Sequence, residues 1–391
     1  VNAFALPGGY IYVSRGLLAL ANSEAELAAV LAHEAGHITG RHSAERYSRG
    51  VVTSLGANIL SAAVGSSGVS QALGLGADLY LKSYSRDQEN EADSLGIRYL
   101  TQGGYDPAAM TSFLVNLQNS SMLEDKIAGR ASTSPIDGYF STHPATQDRV
   151  NKTAGEAQAA GAGKGFIGRD EYLARMDGIV YGESPKHGFV RGQDFIHPVS
   201  GFAFSVPQGF KLINRPTEVL AQGPGGAVVI YDMAPNKSGL DASSYLSNVW
   251  MKGEPIADLE RVAVNGMPAA TASFRGQVNG VPSTIRVMAI EFRPNMFARF
   301  QIGIPTNAPA SVVEGLKSTT YSFRGLSANE KGMAAPYRLR LYKAGAGENA
   351  ATIASRQPFD DNFAEDRFRV LNALPPGQQP QAGRTYKIVV K

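Results

Sequence analysis

The sequence contains no cysteine among its 391 residues. That absence excludes disulfide bonds, thiol catalysis and thiolate metal sites, so any metal ion must be bound by histidine, aspartate or glutamate. The net charge is only +3, and no run of Lys and Arg is long enough to predict a nucleic-acid interface. We therefore expect no nucleic-acid partner.

Long hydrophobic runs are also missing. The longest apolar stretch, residues 51–81, is interrupted repeatedly by Gly and Ser and contains Asn58, Gln71 and Asp78. A helix that crosses a bilayer needs about 20 predominantly apolar residues, so this stretch predicts buried helices and a loop. We expect no transmembrane segment in this chain, although contact with a membrane through an amphipathic surface stays open.

The composition that remains is that of a globular protein, with 43% hydrophobic and 18% charged residues. The length predicts two or three domains, and the residue patterns predict an α+β fold. Residues 1–160 are expected to form a mainly helical domain with a small edge-strand sheet, and residues 161–194 a linker and a helix. An α+β domain of unknown role follows at 195–330, and a small βααβ-like module at 331–391.

A hairpin and a capped helix are predicted at the start of the chain. Asn2–Ala5 and Tyr10–Val13 are rich in β-prone residues, and a Pro-Gly-Gly sequence between them supplies the turn. Ser23 is the expected N-cap of the helix that follows, and Glu26, three residues later, completes a capping box. This helix extends beyond His37.

Further helices follow in the same domain. Ser85 and Gln88 form a second capping pair, and Asp106, followed by proline, opens a third helix. Residues 119–142 are predicted to be a loop, and Pro144 starts another helix. The chemistry of the chain is concentrated in this part of the sequence.

The segment His33-Glu34-Ala35-Gly36-His37 lies on the first of these helices. Residues four apart share one face of a helix, so the imidazoles of His33 and His37 can reach the same zinc ion. Glu34 projects about 100° away and lies beside that ion, where it can act as general base on the attacking water. The alternative is a pair of histidines packed on a helix without a metal.

A zinc peptidase site of this kind needs a third ligand, and the sequence offers two sources. A metzincin pattern would place a histidine six residues after His37, but that position is serine, and His42 is one residue short. His42 is therefore expected to be hydrogen-bonded near the helix end and not to bind the metal. A later helix carries Glu89 and Asp93 on one face, which fits a ligand plus a carboxylate that orients a ligating imidazole. The alternative for this pair is a solvated acidic helix.

With these residues in view, the chain resembles the gluzincin zinc metallopeptidases of the HtpX, Ste24 and BepA family, and is most similar to the exported branch. The resemblance covers about residues 1–150 and is carried by the following segments and residues: Asn2–Ala5, His33–His37, Glu89–Asp93, and Thr142–Pro144 with Arg149. It implies one zinc ion, with Glu89 as third ligand and Asp93 as its supporting carboxylate. It also implies that Asn2, Ala3, Phe4 and Ala5 form the edge strand on which a peptide substrate pairs.

His143 and Arg149 receive roles through the same resemblance. His143 corresponds to a histidine on a loop over the metal, where it can be a fourth metal ligand that keeps the enzyme latent. Arg149 corresponds to an arginine that faces the site and could stabilise the oxyanion. The residues by themselves leave open a plain His-Pro turn and a surface arginine.

The C-terminal half departs from BepA-type proteins, in which helical repeats follow the protease. Residues 337–391 instead resemble a LysM module, which implies binding to cell-wall glycan. The alternative for this module is a plain protein-interaction domain.

We predict from these patterns a zinc metalloendopeptidase that hydrolyses unfolded or misassembled polypeptides in envelope protein quality control. The predicted location is the bacterial periplasm or envelope. An export or lipoprotein signal is expected upstream of Val1, because the chain begins without an initiator Met or signal-like segment. Peptidoglycan and envelope proteins are the predicted partners besides substrate. The alternative is a chaperone-like or glycan-binding envelope protein with a latent zinc site, and a third hypothesis is a peptidoglycan-amide hydrolase.

Overall fold

A computed structural model describes most of the chain, as the following residues: 1–6, 8–42, 44–45, 84–127, 143, 146–215, 217–237, 239–359 and 361–391. The apolar stretch 51–81 and most of the predicted loop 119–142 lie outside these residues. The chain folds into two compact units. We call Val1–Gly182 together with Tyr337–Lys391 the discontinuous unit, and Glu183–Pro336 the sheet unit.

The discontinuous unit begins with the predicted hairpin. Strand β1 (Ala3–Leu6) pairs antiparallel with β2 (Tyr10–Val13). The short helix α1 (Arg15–Leu20) and the long helix α2 (Glu24–Thr39) follow. These elements bring the hairpin next to the helix that carries the His-Glu-x-x-His segment.

The N-terminus of α2 corrects one detail of the sequence prediction. The Ser23 hydroxyl accepts the backbone N–H of Glu26, as expected of an N-cap. The Glu26 carboxylate, however, accepts from the backbone N–H of Asn22 at 2.7 Å and from the hydroxyl of Ser112 at 2.8 Å. The predicted capping box is therefore only half formed, because Glu26 is used to bind the preceding turn and a neighbouring helix.

The remaining helices of this segment are α3 (Arg86–Gln102), α4 (Ala108–Ile127), α5 (Gln147–Ala159) and α6 (Arg169–Met176). The capping box at the start of α3 is present in full. Helix α4 continues to Ile127, so the prediction of a loop from residue 119 is wrong for residues 119–127.

Helices α2 and α3 pack at unusually short range, and glycine makes this possible. A Cβ atom on Gly36 would lie 2.8 Å from the backbone oxygen of Ala92 and 3.0 Å from its Cα. A Cβ on Gly96 would lie 3.2 Å from the backbone nitrogen of His33. The absence of side chains at these two positions therefore brings the histidines of α2 beside the carboxylates of α3.

The sheet unit is built of antiparallel sheets. A four-stranded sheet has the order β13-β5-β4-β3, and a seven-stranded sheet has the order β6-β7-β8-β12-β11-β10-β9. Their bounds are β3 Phe189–Arg191, β4 Asp194–His197, β5 Phe202–Ser205, β6 Lys211–Asn214, β7 Val219–Gln222, β8 Val228–Pro235, β9 Ala257–Val264, β10 Met267–Val278, β11 Val281–Arg293, β12 Met296–Pro305 and β13 Arg324–Gly325.

The described residues of the sheet unit include helices α7 (Ala242–Tyr245, continued by a wider π turn to Trp250), α8 (Ala310–Tyr321) and α9 (Ala328–Met333). Its core contains a cluster of aromatic rings, among them Phe202, Phe204, Tyr231, Phe300 and Phe323. The alternation of Phe202 with Phe204 in β5 and of Phe300 with Ile302 in β12 is typical of strands that place alternate side chains in the core.

Residues 337–391 return to the discontinuous unit. They form β14 (Arg338–Lys343), α10 (Ala350–Ala354), α11 (Ala364–Leu371) and β15 (Thr385–Val390), with β14 and β15 paired antiparallel. Leu339, Leu371 and Val389 pack with Ala19 of α1 in one buried cluster.

A buried lysine adds hydrogen bonds between residues 337–391 and the end of α1. Lys387 is 0% exposed, and its ammonium donates to the backbone oxygens of Ala19 at 2.6 Å and Ala21 at 2.7 Å. These oxygens lie at the C-terminal end of α1, where helix carbonyls lack partners within the helix.

The protein is α+β, as predicted. Spatial contacts place residues 337–391 in the same compact unit as the N-terminal segment. The division of the chain into four domains stays a prediction. Among the residues the structure describes, no helix is both long and apolar enough to cross a membrane.

Candidate metal centre

Helix α2 places His33 and His37 one turn apart on the same face. Both side chains are buried, and their Nε2 atoms lie 3.0 Å apart. Glu34, between them in sequence, is 0% exposed. The geometry expected from the spacing is therefore present.

Helix α3 brings Glu89 to these two nitrogens. Its carboxylate oxygens lie 3.3 Å from Nε2 of His37 and 3.6 Å from Nε2 of His33. Glu89 is itself fully buried. The structure thus brings together the three residues predicted to bind zinc.

His143 completes the cluster. Its Nδ1 lies 2.9 Å from Oε1 of Glu89 and 3.3 Å from Nε2 of His33. One donor atom from each of His33, His37, Glu89 and His143 can be chosen so that all four lie within 4.8 Å of one another. Three imidazole nitrogens and one carboxylate oxygen are a donor set that suits zinc.

Asp93 and Arg149 contact residues of this cluster on the side away from the four donor atoms. Asp93 contacts Nδ1 of His33 at 2.8 Å, on the opposite side of the ring from Nε2. Arg149 donates to both oxygens of Asp93 and lies 2.6 Å from a carboxylate oxygen of Glu89. These contacts favour a role for Arg149 in holding the two carboxylates, while the oxyanion role stays a prediction.

The protonation states of this network follow from burial and its ion pairs. Burial disfavours the charged form of His33, but the hydrogen bond and charge of Asp93 outweigh it and raise the pKa of His33. Burial also opposes ionisation of Asp93, yet hydrogen bonds from His33 and Arg149 lower the pKa of Asp93 to about 2.

His37 and Glu89 differ from this pair. Burial dominates at His37 and lowers its pKa to about 2, despite the hydrogen bond with Glu89. Burial opposes ionisation of Glu89, but the charge and hydrogen bond of His143 hold the pKa of Glu89 well below its usual value. At neutral pH the pair supplies a neutral imidazole and a carboxylate, which are the forms that bind a metal.

Glu34 provides an independent test of whether a metal fits. Both of its carboxylate oxygens are buried, and neither has a hydrogen-bond partner among the described residues. Its closest ionic contact is Nε2 of His143 at 3.6 Å. A buried carboxylate without partners is costly, so this group suits a site that holds a cation and a polar reactant.

The predicted substrate strand has the expected alternation. Ala3 and Ala5 are buried, whereas Phe4 is 42% exposed and stacks on Tyr12 of β2 with ring centroids 5.1 Å apart. Strand β1 pairs with β2, and no second strand pairs with β1 within the described part of the chain. The backbone N–H of Asn2, immediately before β1, donates a hydrogen bond to the hydroxyl of Ser14.

Two further residues contact His37: Tyr84, to which the sequence assigned no role, and His42, which was expected to be hydrogen-bonded near the end of α2. The Tyr84 ring stacks on His37 with centroids 3.8 Å apart and planes 18° apart. His42 is buried, and its Nδ1 lies 2.8 Å from Nδ1 of His37. The contact of Tyr84 depends on tertiary packing, and its position immediately before the capping box of α3 is the one local signal for it. The contact of His42 is local, since this residue follows His37 by five positions.

Comparison with known proteins gives relatives of this N-terminal region. The "Beta-barrel assembly-enhancing protease" of Yersinia pestis is 36% identical over 146 residues, which are 35% of this chain and 30% of that protein. The protein of the same name from Escherichia coli K12 is 33% identical over 159 residues, 38% of this chain and 31% of the relative. The "Mitochondrial metalloendopeptidase OMA1" of Schizosaccharomyces pombe is 34% identical over 151 residues, 39% and 42% of the two chains.

The chain therefore spans less than half the length of these curated relatives. Among solved structures, cyanobacterial PsbP from Synechocystis covers 37% of this chain and 98% of its own at 13% identity, with a TM-score of 0.28. A TM-score this low supports no inference.

The buried His, His, Glu and His cluster beside the Glu34 carboxylate could hold a metal ion and has the composition expected of a zinc metallopeptidase site. Residues 1–157 match Peptidase family M48. The N-terminal region is thus similar to the members of that family.

Proposed function

We propose that the chain is a zinc-dependent endopeptidase that cleaves unfolded or misassembled polypeptides. The observation that carries this proposal is the buried cluster of His33, His37, Glu89 and His143 with Glu34 beside it. Nearby acidic groups are common on protein surfaces without a metal, but four donors from three separate segments meet here in the interior.

The chemistry divides between the metal and the protein. Zinc, when bound, supplies a Lewis acid that polarises the scissile carbonyl and makes water a stronger nucleophile at neutral pH. His33, His37 and Glu89 would hold it, and Asp93 would fix the ring of His33. Glu34 would accept a proton from the attacking water and pass it to the leaving amine.

The edge of β1 supports a peptide substrate in extended form. A free strand edge offers backbone N–H and C=O groups to a peptide, and the exposed ring of Phe4 offers contact to its side chains. Such pairing is largely independent of sequence and requires an unfolded segment. We infer from this that the substrates are polypeptides that have failed to fold or assemble.

The proposed biological role and cellular location are based on the names of the relatives. Bacterial relatives are named β-barrel assembly-enhancing proteases, which supports a role in envelope protein quality control. We propose a location in the bacterial periplasm or envelope, with a lipid anchor upstream as a further prediction. Binding of residues 337–391 to peptidoglycan stays a prediction as well.

His143 supports a latent state of this site. Its ring is 1% exposed and lies within 3.6 Å of both Glu89 and Glu34, the predicted ligand and the predicted base. We propose that it acts as a fourth ligand in the resting enzyme and moves away when substrate or a partner displaces its loop.

The decisive experiment compares the wild-type chain with Glu34→Gln, both loaded with zinc. An amide cannot accept the proton from water, so this variant should retain zinc and fold but lose casein hydrolysis. Chelation of the wild-type enzyme should abolish activity, and added zinc should restore it. A zinc-loaded wild-type chain that prevents aggregation of unfolded protein without cleaving it would support the chaperone-like alternative. Turnover of purified cell wall would support an amide hydrolase.

A further inference from the structure

The two nitrogens of the His37 ring face different groups. Nε2 faces the metal cluster, 3.3 Å from Glu89. Nδ1 points the other way and lies 2.8 Å from Nδ1 of His42. The proposed function uses only the first of these contacts.

The chain after α2 is shaped to make the second contact. Helix α2 ends at Thr39, and Arg41 has a left-handed backbone with φ of 56°. This turn folds His42 back against the end of its own helix, where the ring is 1% exposed. Residues other than glycine seldom adopt positive φ, so the turn is held by its surroundings.

Gly40 provides the space for the His42 ring. A Cβ at this position would lie 2.6 Å from Nε2 and 2.9 Å from Cε1 of that ring. Gly40 itself has an ordinary right-handed backbone with φ of −72°. Glycine is thus required here for the ring, and not for the backbone conformation.

We propose that His42 is a positioning residue for the metal site: it accepts the Nδ1–H of His37 and leaves Nε2 of that ring free to bind zinc. This inference rests on the proposed zinc site. A neutral imidazole that binds a metal through Nε2 carries its proton on Nδ1, and that proton needs an acceptor in the buried site.

The tautomer of His42 follows from the same contact. If its Nδ1 accepts from His37, its own proton is on Nε2, which lies 3.4 Å from a carboxylate oxygen of Glu91. Glu91 is 60% exposed and binds weakly. His33 is held by the carboxylate of Asp93, so the two helix ligands have acceptors of different charge.

The test uses a matched pair of variants in the full chain. In His42→Asn, the side-chain oxygen can occupy the position of Nδ1 and accept the same hydrogen bond. In His42→Leu, a side chain of similar size offers no acceptor. We expect zinc affinity, measured by competition with a chromophoric chelator, to fall about 10–100-fold in His42→Leu and to be restored largely in His42→Asn.

A spectroscopic measurement separates positioning from general stability. In the zinc-loaded chain labelled with ¹⁵N-histidine, His37 should show a protonated, slowly exchanging Nδ1 in wild type and His42→Asn. That signal should exchange faster or disappear in His42→Leu, even where the fold is intact by circular dichroism.

Gly40→Ala tests the same contact without altering His42. Its Cβ must displace the ring, so zinc affinity should fall as in His42→Leu. The double variant Gly40→Ala/His42→Leu should bind zinc no more weakly than either single variant. Gly155→Ala is the matched control, because a Cβ there meets nothing within 4 Å.

The outcomes distinguish this inference from the proposed function. Equal zinc affinity in wild type and His42→Leu, or equal losses in His42→Leu and His42→Asn, would overturn the positioning role alone. A wild-type chain that binds no zinc would overturn the proposed function and this inference with it.

Discussion

Glu89 is the single carboxylate among the four clustered donors, and its removal is the clearest test of the zinc site. We expect Glu89→Ala to weaken zinc binding more than the roughly 10–100-fold that follows loss of a supporting partner. Elemental analysis after dialysis checks this. Asp87→Ala is the control, since Asp87 is exposed on the same helix. Zinc held as tightly as in wild type would identify a different third ligand.

His143 offers a second test at the scale of one residue. Because three ligands remain in His143→Ala, we expect zinc content to be retained and basal casein turnover and self-cleavage to rise. The reason is that the ring no longer competes with water and substrate for the fourth coordination position. A lower turnover with intact zinc would instead assign His143 to stabilisation of the oxyanion.

At the scale of secondary-structure elements, the site depends on the close approach of α2 and α3. Gly36→Ala introduces a Cβ 2.8 Å from a backbone oxygen, so the helices must separate. We expect the free energy of unfolding to fall by about 1–3 kcal/mol and zinc affinity to fall with it.

Gly155→Ala is again the control for this change. It lies on the exposed side of α5, and alanine should be neutral or should stabilise that helix by up to about 1 kcal/mol. Urea unfolding and zinc titration measure both variants. If Gly36→Ala behaves like this control, the short contact does not set the position of the ligands.

Local patterns in the sequence predict much of this region. The hairpin residues, the N-cap at Ser23 and the capping box at Ser85 depend on neighbours a few residues away, and the structure contains each of them. The spacing of His33 and His37 likewise predicts their shared face. Fold class and the pair of helix histidines could therefore be inferred from local patterns, whereas the roles of Glu89 and His143 came from the family resemblance.

Tertiary contacts account for what the sequence does not predict. Residues 119–127 are rich in polar side chains and resemble a loop, but they continue α4 because this end of the helix packs near α11, with Lys126 paired to Asp366. The role of Tyr84 arises where separate segments meet, and the contact of His42 with His37 depends on the left-handed turn at Arg41. No local periodicity reports such contacts.

At the scale of the whole molecule, Lys387 joins the two ends of the discontinuous unit. Lys387→Met keeps the aliphatic bulk but removes the donor for the carbonyls of Ala19 and Ala21. We expect the free energy of unfolding to fall by about 3 kcal/mol, because buried acceptors lose their partner. Lys343→Met, at an exposed position on β14, should change it little in the same urea titration.

The same lysine predicts a dependence of stability on pH. Burial lowers the pKa of Lys387 from 10.5 to about 7, although the charge of Glu26 opposes the change. Between about pH 7 and 10.5 the unfolded chain holds a proton that the folded chain has released, so stability should rise with pH across this window. The rise should be absent from Lys387→Met. Parallel curves for the two proteins would refute the assignment.

The position of Lys387 also affects the timing of assembly during synthesis. It lies 368 residues after Ala19, whose carbonyl it binds, so a ribosome must add the entire sheet unit before this contact can form. At about 5–20 residues per second the interval lasts about 20–70 s. Throughout that time the backbone oxygens of Ala19 and Ala21, in the turn that leads into α2, lack the ammonium group of Lys387 as a donor. We therefore expect the N-terminal segment to reach its full stability only after residue 387 has been synthesised.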